Sequence, residues 1–460
     1  FFRILEVFTM VSQELAKFVL KTDYQNIPNA ALQKAKASLI DSVGTMLAGA
    51  KEDAGSIIVR YVEKTGGAPA ASLVGHKIKS SVYNAAMANG TMGHVQDYDD
   101  MSPTLIGHPS ISVLPAVLAL GEEQKISGEE MLSAFTIGIE VECKIGRGTI
   151  PQHYENGWHP TATIGIFGAA AASAKILGLS EQEIIYALGI AGSESSGLRE
   201  NFGTMTKPFH AGRAAAKGTM SAMLAKEGFT STPKIFEGKA GFCKVMAVEY
   251  DENKIIDRLG NPFDVEDPGF TIKPYPTCGA AHPAIDAVIS LSREHDLKAD
   301  EIKQIKCGTV PIGRDVLVYP KPATPLEAKF SMEYCLAVAL IEKKVGFSQF
   351  SDKKINAPEI KQLLEKVDMY LSPEMSDLGY RGTFNADIKI VLKDGKEYSK
   401  RVDHGRGDPA NPLTEEELLE KYSDCAALAL DSEKIKRSKE MLSGLEQLSD
   451  ISLLMDILRG

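Results

Sequence analysis

The sequence lacks a basic stripe, a paired-cysteine motif and a long apolar run. Over 460 residues with a net charge of −10, no run of Lys and Arg offers the positive surface that nucleic acids or anionic membranes require. The six cysteines are scattered without a CxxC spacing, so we expect mostly buried, reduced thiols rather than zinc ligands or disulfides. The most membrane-like stretch, residues 161–174, is too short to span a bilayer. These absences predict a cytoplasmic protein without nucleic-acid or membrane partners.

The first twenty residues are apolar, but charges at Arg3, Glu6, Glu14 and Lys17 interrupt them. Neither a signal peptide nor a transmembrane span places charges through its apolar segment. We therefore expect an amphipathic helix here, and Met10 could be the native start of the chain.

Helical periodicity dominates from the start of the chain to about residue 265. Within residues 29–47, apolar side chains recur on one helix face, at Leu32, Ala35, Leu39, Val43 and Met46. Capping boxes, in which Glu follows a Ser or Thr by three residues, mark helix starts at Ser127, Ser180 and Thr414. The last of these opens a helical pattern that continues to the end of the chain.

A segment rich in Pro and Gly, residues 261–279, interrupts the helical pattern and is typical of a crossing between domains. Beyond it, residues 301–310 and 386–402 have the alternation of strands, and Asp394-Gly395 predicts a hairpin turn. We expect a mostly α protein with an α+β part. It would consist of a large all-helical domain built from both chain ends, residues 1–268 and 405–460, and a smaller α+β lid domain, residues 269–404.

Ionisable groups crowd the segment HVQDYDDMSPTLIGHPS, residues 94–110. It contains two imidazoles and three carboxylates: His94, His108, Asp97, Asp99 and Asp100. These groups could be solvated loop residues, ligands of a metal ion, or parts of an acid/base site.

Three histidines stand directly before a proline: His108, His159 and His282. Proline disfavours the helical conformation in the residue before it and suits the first turn of a helix, so each imidazole is expected at a helix start. The positive end of the helix dipole disfavours an imidazolium there and favours a nearby anion. Each histidine is therefore either a candidate general base or hydrogen-bond donor, or simply an N-terminal cap.

Two lysines are candidate cations for an anionic substrate. Lys207 begins a small-residue helix that also carries His210 and Arg213, and Lys273 lies in the crossing segment beside Tyr275. Clefts between domains often bind small ligands. If these groups converge, they suit proton removal next to a carboxylate, with imidazoles moving protons and cations stabilising the developing charge.

Five segments, in order along nearly the whole chain, resemble the signatures of the MmgE/PrpD family. They span residues 89–110, 157–180, 203–215, 273–286 and 327–340. That family includes 2-methylcitrate dehydratases, cis-aconitate decarboxylases and an iminodisuccinate epimerase. The resemblance implies a large helical domain with an α+β lid, a homodimer, a small carboxylate substrate, and activity without metal or organic cofactor.

The resemblance also implies site residues. The catalytic candidates are Asp97, His108, His159, Lys207 and Lys273. In this interpretation Asp97 and the histidines manage protons while the lysines hold substrate carboxylates, and which histidine is base or acid stays open. The substrate-binding candidates are His282, Ser102 and Tyr319.

Two positions depart from the decarboxylase-type members. Those members have a Thr soon after the paired aspartates, where this chain has Met101 and then Ser102. They also have a Tyr upstream of the AKFS segment, and Tyr319 is the nearest tyrosine but falls out of register. Both departures argue against decarboxylation.

The first expectation is therefore a cofactor-independent lyase or isomerase acting on a di- or tricarboxylate, most of all a 2-methylcitrate dehydratase-like enzyme. A cis-aconitate decarboxylase-like or iminodisuccinate epimerase-like enzyme is the alternative. From another class, a hydrolase could bind Mg²⁺ or Mn²⁺ through the five ionisable residues between His94 and His108. A non-catalytic helical scaffold is the remaining hypothesis. We expect His94 to be structural, Asp99 and Asp100 to cap, orient or solvate, and leave His210 undecided.

Overall fold

The computed structural model describes residues 10–377 and 385–460. The expected N-terminal amphipathic helix is present from Val11 to Lys21, and the part of that prediction before Met10 lies outside the described residues. Among the described residues, no helix is both long and apolar enough to cross a membrane.

Helices form most of the chain up to the crossing segment. They are α1 Val11–Lys21, α2 Asn29–Gly49, α3 Asp53–Thr65, α4 Val82–His94, α5 Pro109–Gln124, α6 Gly128–Thr149, α7 Gln152–Glu155, α8 Pro160–Thr163, α9 Gly165–Ile176, α10 Glu181–Glu194, α11 Thr206–Lys226, α12 Phe242–Met246 and α13 Glu252–Ile256. A two-stranded antiparallel ribbon, β1 Ala71–Ser72 with β2 Lys79–Ser80, lies between α3 and α4. This ribbon is a small departure from the all-helical expectation.

The apolar face predicted for α2 is buried: Leu32, Ala35, Leu39, Val43 and Met46 all belong to one hydrophobic core. That core also takes in the helices at the C-terminal end of the chain. These are α21 Glu415–Ala426, α22 Ser432–Ser443 and α23 Ser452–Leu458. The capping boxes at Ser127, Ser180 and Thr414 are all formed.

A second hydrophobic core is formed mainly by residues beyond the crossing segment, together with Ile106 and Tyr154 from before it. The helices in this part of the chain are α14 His282–Glu294, α15 Pro311–Val316, α16 Pro325–Ala328, α17 Met332–Glu342, α18 Asp352–Ile355, α19 Pro358–Leu364 and α20 Pro373–Ser376. Its strands are β3 Ile302–Thr309, β4 Val367–Leu371, β5 Ala386–Leu392 and β6 Glu397–Val402. They form a sheet in the order β4-β3-β5-β6, in which β4 runs parallel to β3 and the other pairs are antiparallel.

These elements confirm the expected fold class, a mostly α protein with an α+β part. The hairpin between β5 and β6 turns at Asp394-Gly395, where Gly395 has a positive φ of 90°. The chain passes from the first core to the second in the segment around Phe270 to Cys278. The domain boundaries at 268/269 and 404/405 stay a prediction.

Candidate active site

The candidate site forms where the end of α4, the starts of α5, α8 and α11, and the crossing segment meet. Helices α4 and α11 pack unusually closely, because Gly90 faces Gly212: a Cβ added to Gly90 would lie 2.8 Å from the Gly212 Cα. Only residues without a side chain permit this approach. The close packing brings His94, at the end of α4, within 3.0 Å of Lys207, in the first turn of α11.

Asp97 lies at the centre of the site. Its backbone has a positive φ of 51°, in the left-handed region that Asp tolerates better than most residues. One carboxylate oxygen accepts a hydrogen bond from Lys207 Nζ at 2.6 Å, and the other lies 3.3 Å from Lys273 Nζ. Burial alone would raise the pKa of Asp97, but the two ammonium groups outweigh it and hold that pKa well below its usual value. Asp97 is therefore a fixed anion.

Asp99 lies close to the imidazoles of both His94 and His108. His94 Nδ1 lies 2.9 Å from an Asp99 oxygen, and His108 Nδ1 lies 3.2 Å from the other but makes no aligned hydrogen bond there. Because Lys207 can only donate, His94 Nε2 accepts from it, and the single proton of a neutral His94 is on Nδ1. Burial lowers the pKa of His94 to about 3 and lowers that of His108, so both rings are neutral at pH 7.

His159 pairs with His210, with their Nδ1 atoms 3.0 Å apart. Burial, reinforced by His210 and Lys207, holds the pKa of His159 well below its usual value. Burial and Lys207 lower the pKa of His210 to about 4. Both imidazoles are therefore neutral, and one donates a hydrogen bond to the other.

A cavity of about 70 Å³ opens beside these groups. All five catalytic candidates line it: Asp97, His108, His159, Lys207 and Lys273. The rest of its wall is largely apolar: Met101, Ile106, Phe202, Ala280, Ile312, Val316 and Phe330. The Lys207 ammonium also lies 5.4 Å from the ring centroids of both Phe202 and Phe330, so aromatic faces and Asp97 together surround this cation. The structure thus brings together carboxylate, imidazole and ammonium groups that the sequence separates by up to 176 residues.

The three substrate-binding candidates lie near the cavity but do not line it. The Ser102 hydroxyl is 2.8 Å from the Thr104 hydroxyl, within its own loop. The Tyr319 hydroxyl donates to the Phe202 carbonyl at 3.3 Å, and His282 Nε2 donates to the Thr277 carbonyl at 3.1 Å. These contacts position the cavity wall, and a role in substrate binding stays a prediction for all three.

Several residues of the candidate active site were not identified from the sequence. His94, expected to be structural, connects Lys207 to Asp99 directly. His210, left undecided, is on the same helix face as Lys207, and the spacing of three residues was a usable signal. Lys329 is buried and donates to the Gln96 carbonyl at 2.9 Å, yet nothing in the AKFS segment indicated a partner for it.

Four ionisable residues have ligand atoms close enough together to hold a metal ion: His94, Asp97, Asp99 and His108. Asp100, the fifth candidate, instead accepts hydrogen bonds from the Ser110 amide and hydroxyl. Three of these four residues already have other partners, since Lys207 binds Asp97 and His94 while Asp99 binds His94. A cation here would face two ammonium groups within 3.3 Å of Asp97. The donor set therefore fits ammonium groups better than a divalent metal.

Comparison with known proteins assigns the chain to a family. The model of the MmgE/PrpD N-terminal domain matches residues 13–253, and that of the MmgE/PrpD C-terminal domain matches residues 275–447. A cis-aconitate decarboxylase from Homo sapiens is 28% identical over 95% of this chain and 92% of its own length. One from Aspergillus terreus is 28% identical over 97% and 96%, and a probable 2-methylcitrate dehydratase from Saccharomyces cerevisiae is 24% identical over 84% and 79%.

The chain belongs to the MmgE/PrpD family. It is an enzyme of the lyase type that these relatives represent.

Proposed function

We propose that the protein is a lyase that makes or protonates a carbanion-like carbon beside a carboxylate, without a metal or an organic cofactor. The observation that supports this most is the Asp97 carboxylate held between Lys207 and Lys273 in a wall that also contains His108 and His159. Such a site combines fixed cations for an anionic substrate with neutral imidazoles for proton transfer.

Lys207 retains a hydrogen-bond donor for a substrate. Each ammonium has three N–H donors. Lys207 uses two of them, on Asp97 and His94, which leaves one for a substrate carboxylate. An opposite charge 4 Å from such a cation is stabilised by about 4 kcal/mol at an effective dielectric constant near 20. That stabilisation grows where charge builds on the carboxylate in the transition state.

Decarboxylation of a cis-aconitate-like tricarboxylate is the first candidate reaction. Relatives named cis-aconitate decarboxylases align over nearly the whole chain, whereas the dehydratase alignment is shorter and weaker. In this reaction the bond to the departing CO₂ breaks, its electron pair moves towards the remaining unsaturated carboxylate, and a proton then bonds to carbon. Lys207 and Lys273 would stabilise the electron-rich intermediate, and His108 or His159 would relay the proton from solvent.

Dehydration of a 2-methylcitrate-like hydroxy acid is the second candidate. Met101 lines the cavity at the place where decarboxylase-type members have a Thr, and the Ser102 hydroxyl points into its own loop. In this reaction a neutral imidazole removes the proton next to a carboxylate, and a second group protonates the departing hydroxyl. A neutral imidazole is competent as that base, because its lowered pKa keeps it unprotonated at pH 7.

One NMR experiment separates these candidates. EDTA-treated protein would be incubated in D₂O with cis-aconitate, 2-methylcitrate, citrate and a panel of dicarboxylates. We expect loss of CO₂, loss of water or deuterium incorporation at carbon with at least one substrate. The matched variants are Lys207→Ala, which should abolish the reaction, and Lys217→Ala on the same helix, which pairs with Glu194 outside the cavity and should not. Activity that appears only on adding a divalent metal would contradict the proposal and favour the hydrolase hypothesis.

The family resemblance supports two broader proposals, a homodimer and a lid formed by residues 269–404, and the composition of the sequence supports a third, a cytoplasmic location. Sedimentation at two protein concentrations tests the first, and a monomer at both would contradict it.

A further inference from the structure

Three consecutive backbone carbonyls in the loop after α4 each accept a hydrogen bond from a buried lysine. Lys329 donates to the Gln96 carbonyl at 2.9 Å, Lys273 to that of Asp97 at 2.8 Å, and Lys421 to that of Tyr98 at 2.8 Å. All three lysine side chains are buried.

The three lysines come from distant parts of the chain. Lys273 belongs to the crossing segment, Lys329 follows α16 among the elements of the second core, and Lys421 is in α21, which packs on the first core. The loop that carries Asp97 is therefore held simultaneously from both parts of the molecule.

We infer that Lys329 and Lys421 are positioning residues that, with Lys273, hold the loop of Gln96, Asp97 and Tyr98 and so fix the Asp97 carboxylate in the active site. We call Lys273, Lys329 and Lys421 the lysine clamp. The inference rests on the proposed function, in which the Asp97 carboxylate holds Lys207 and Lys273 beside the imidazoles. Because Lys329 lies on the lid side, the acid/base site is complete only when that side is docked.

The cost of burying Lys329 supports a specific role. Lys421 has Asp41 as an ion-pair partner at 2.5 Å, and Lys273 has Asp97. Among the described residues, Lys329 has no carboxylate within ion-pair distance, and its ammonium is satisfied by the Gln96 carbonyl and the Gln96 side chain. Burial of a cation without an anion is costly, and burial accordingly lowers the pKa of Lys329 to about 8. An apolar side chain of the same length would fill this place more stably if packing were its only function.

The backbone conformation of Asp97 explains why the loop needs the lysine clamp. A residue with positive φ outside glycine is strained and persists only when its surroundings fix it. The hydrogen bonds to the Gln96 and Asp97 carbonyls restrain the two peptide planes that flank Asp97, and the bond to the Tyr98 carbonyl restrains the next plane. Loss of one of them would allow the loop to relax and the carboxylate to move away from Lys207.

The test compares Lys329→Met with Lys366→Met. Methionine keeps the length of the apolar stem and removes the donors. Lys366 is a matched control, because it also donates to a backbone carbonyl in the second core, that of Ile302 at 2.7 Å, but outside the site. With the substrate identified by NMR, we expect Lys329→Met to lower kcat by about 10- to 100-fold, since a displacement of about 1 Å costs this much. KM should change less than about threefold, because Lys207 and Lys273 are retained, and the control should match wild type in both.

Hydrogen exchange of the peptide spanning residues 94–101 gives a readout that does not need turnover. We expect faster exchange there in Lys329→Met and not in Lys366→Met, with the rest of the protein unchanged. If Lys329→Met fails to fold, the Asp41→Asn/Lys421→Met double variant, which removes that ion pair together, should show the same local exchange.

Each outcome is decisive. A kcat for Lys329→Met within twofold of the control, or unchanged exchange in residues 94–101, would overturn the clamp. A wild-type enzyme inactive on the whole substrate panel would instead refute the proposed function, and the exchange comparison would still decide the clamp.

Discussion

Replacing Gly212 by alanine would test whether close packing of α4 and α11 sets the active-site geometry. A Cβ at Gly212 would lie 2.1 Å from the Met87 carbonyl oxygen and 2.3 Å from the Thr91 hydroxyl oxygen. The first of these atoms is backbone, so it cannot rotate out of the way. Since carbon and oxygen need a separation of about 3.3 Å, the helices must move apart by roughly 1 Å.

The displacement has consequences for both activity and stability. It would pull Lys207, one and a half turns earlier on α11, away from His94 and Asp97, and a misplacement of about 1 Å costs on the order of 100-fold in rate. Overpacking a core destabilises a protein by about 1–3 kcal/mol, against a gain of up to about 1 kcal/mol from helix propensity. We therefore expect kcat to fall about 100-fold with a net destabilisation of about 0–2 kcal/mol.

The assay pairs steady-state kinetics on the NMR-identified substrate with urea unfolding. Gly44→Ala is the matched control, because a Cβ there would meet its nearest atoms, in Tyr422 and Cys425, at ordinary distances of 3.4 to 3.5 Å. That variant should be fully active and as stable as wild type or slightly more so. A Gly212→Ala enzyme with kcat within twofold of wild type would refute the reasoning that links helix separation to the site.

Three further predictions concern protons and charge. Burial raises the pKa of Asp100 to about 7, so the free energy of unfolding should fall by about 4 kcal/mol as the pH rises from about 4 to 7. Urea unfolding at several pH values should show that Asp100→Asn lacks this fall. The same pH dependence of the unfolding free energy in Asp100→Asn and wild type would contradict the prediction. Because burial lowers the pKa of His108 and of His159, the acid limb of kcat/KM should lie below pH 6.5, and a limb at or above that value would argue against neutral imidazoles. Asp97→Asn removes the anion that positions Lys207 and Lys273 and should lower kcat on the order of 100-fold while circular dichroism stays unchanged; retained activity would remove Asp97 from the mechanism.

Local patterns were enough to predict the fold class. The structure confirms the apolar face of α2, the three capping boxes and the alternation in β5. Each of these patterns depends only on residues close together in the sequence. The ribbon of β1 and β2 escaped prediction because strands of two residues are too short to show a period.

The site was less accessible from the sequence. The prolines after His108 and His159 correctly predicted that these two residues precede helix starts, because proline acts on its immediate neighbour. His282 differs, because it is itself in the helical conformation as the first residue of α14. The roles of His94 and Lys329 depend on partners 113 and 233 residues away, and no local pattern encodes such pairs. Burial, which makes the imidazoles neutral, is likewise a property of the packed molecule.

The hydrogen bond from Lys421 to the Tyr98 carbonyl has a consequence for the order of folding. These residues are 323 positions apart. At about 5–20 residues per second, a ribosome needs at least about 16 s after making Tyr98 before it makes Lys421. During that interval the helices that precede the crossing segment can already pack, but the loop after α4 lacks at least one of its three ammonium donors. The loop that carries Asp97 can therefore be fully restrained only after α21 has been synthesised.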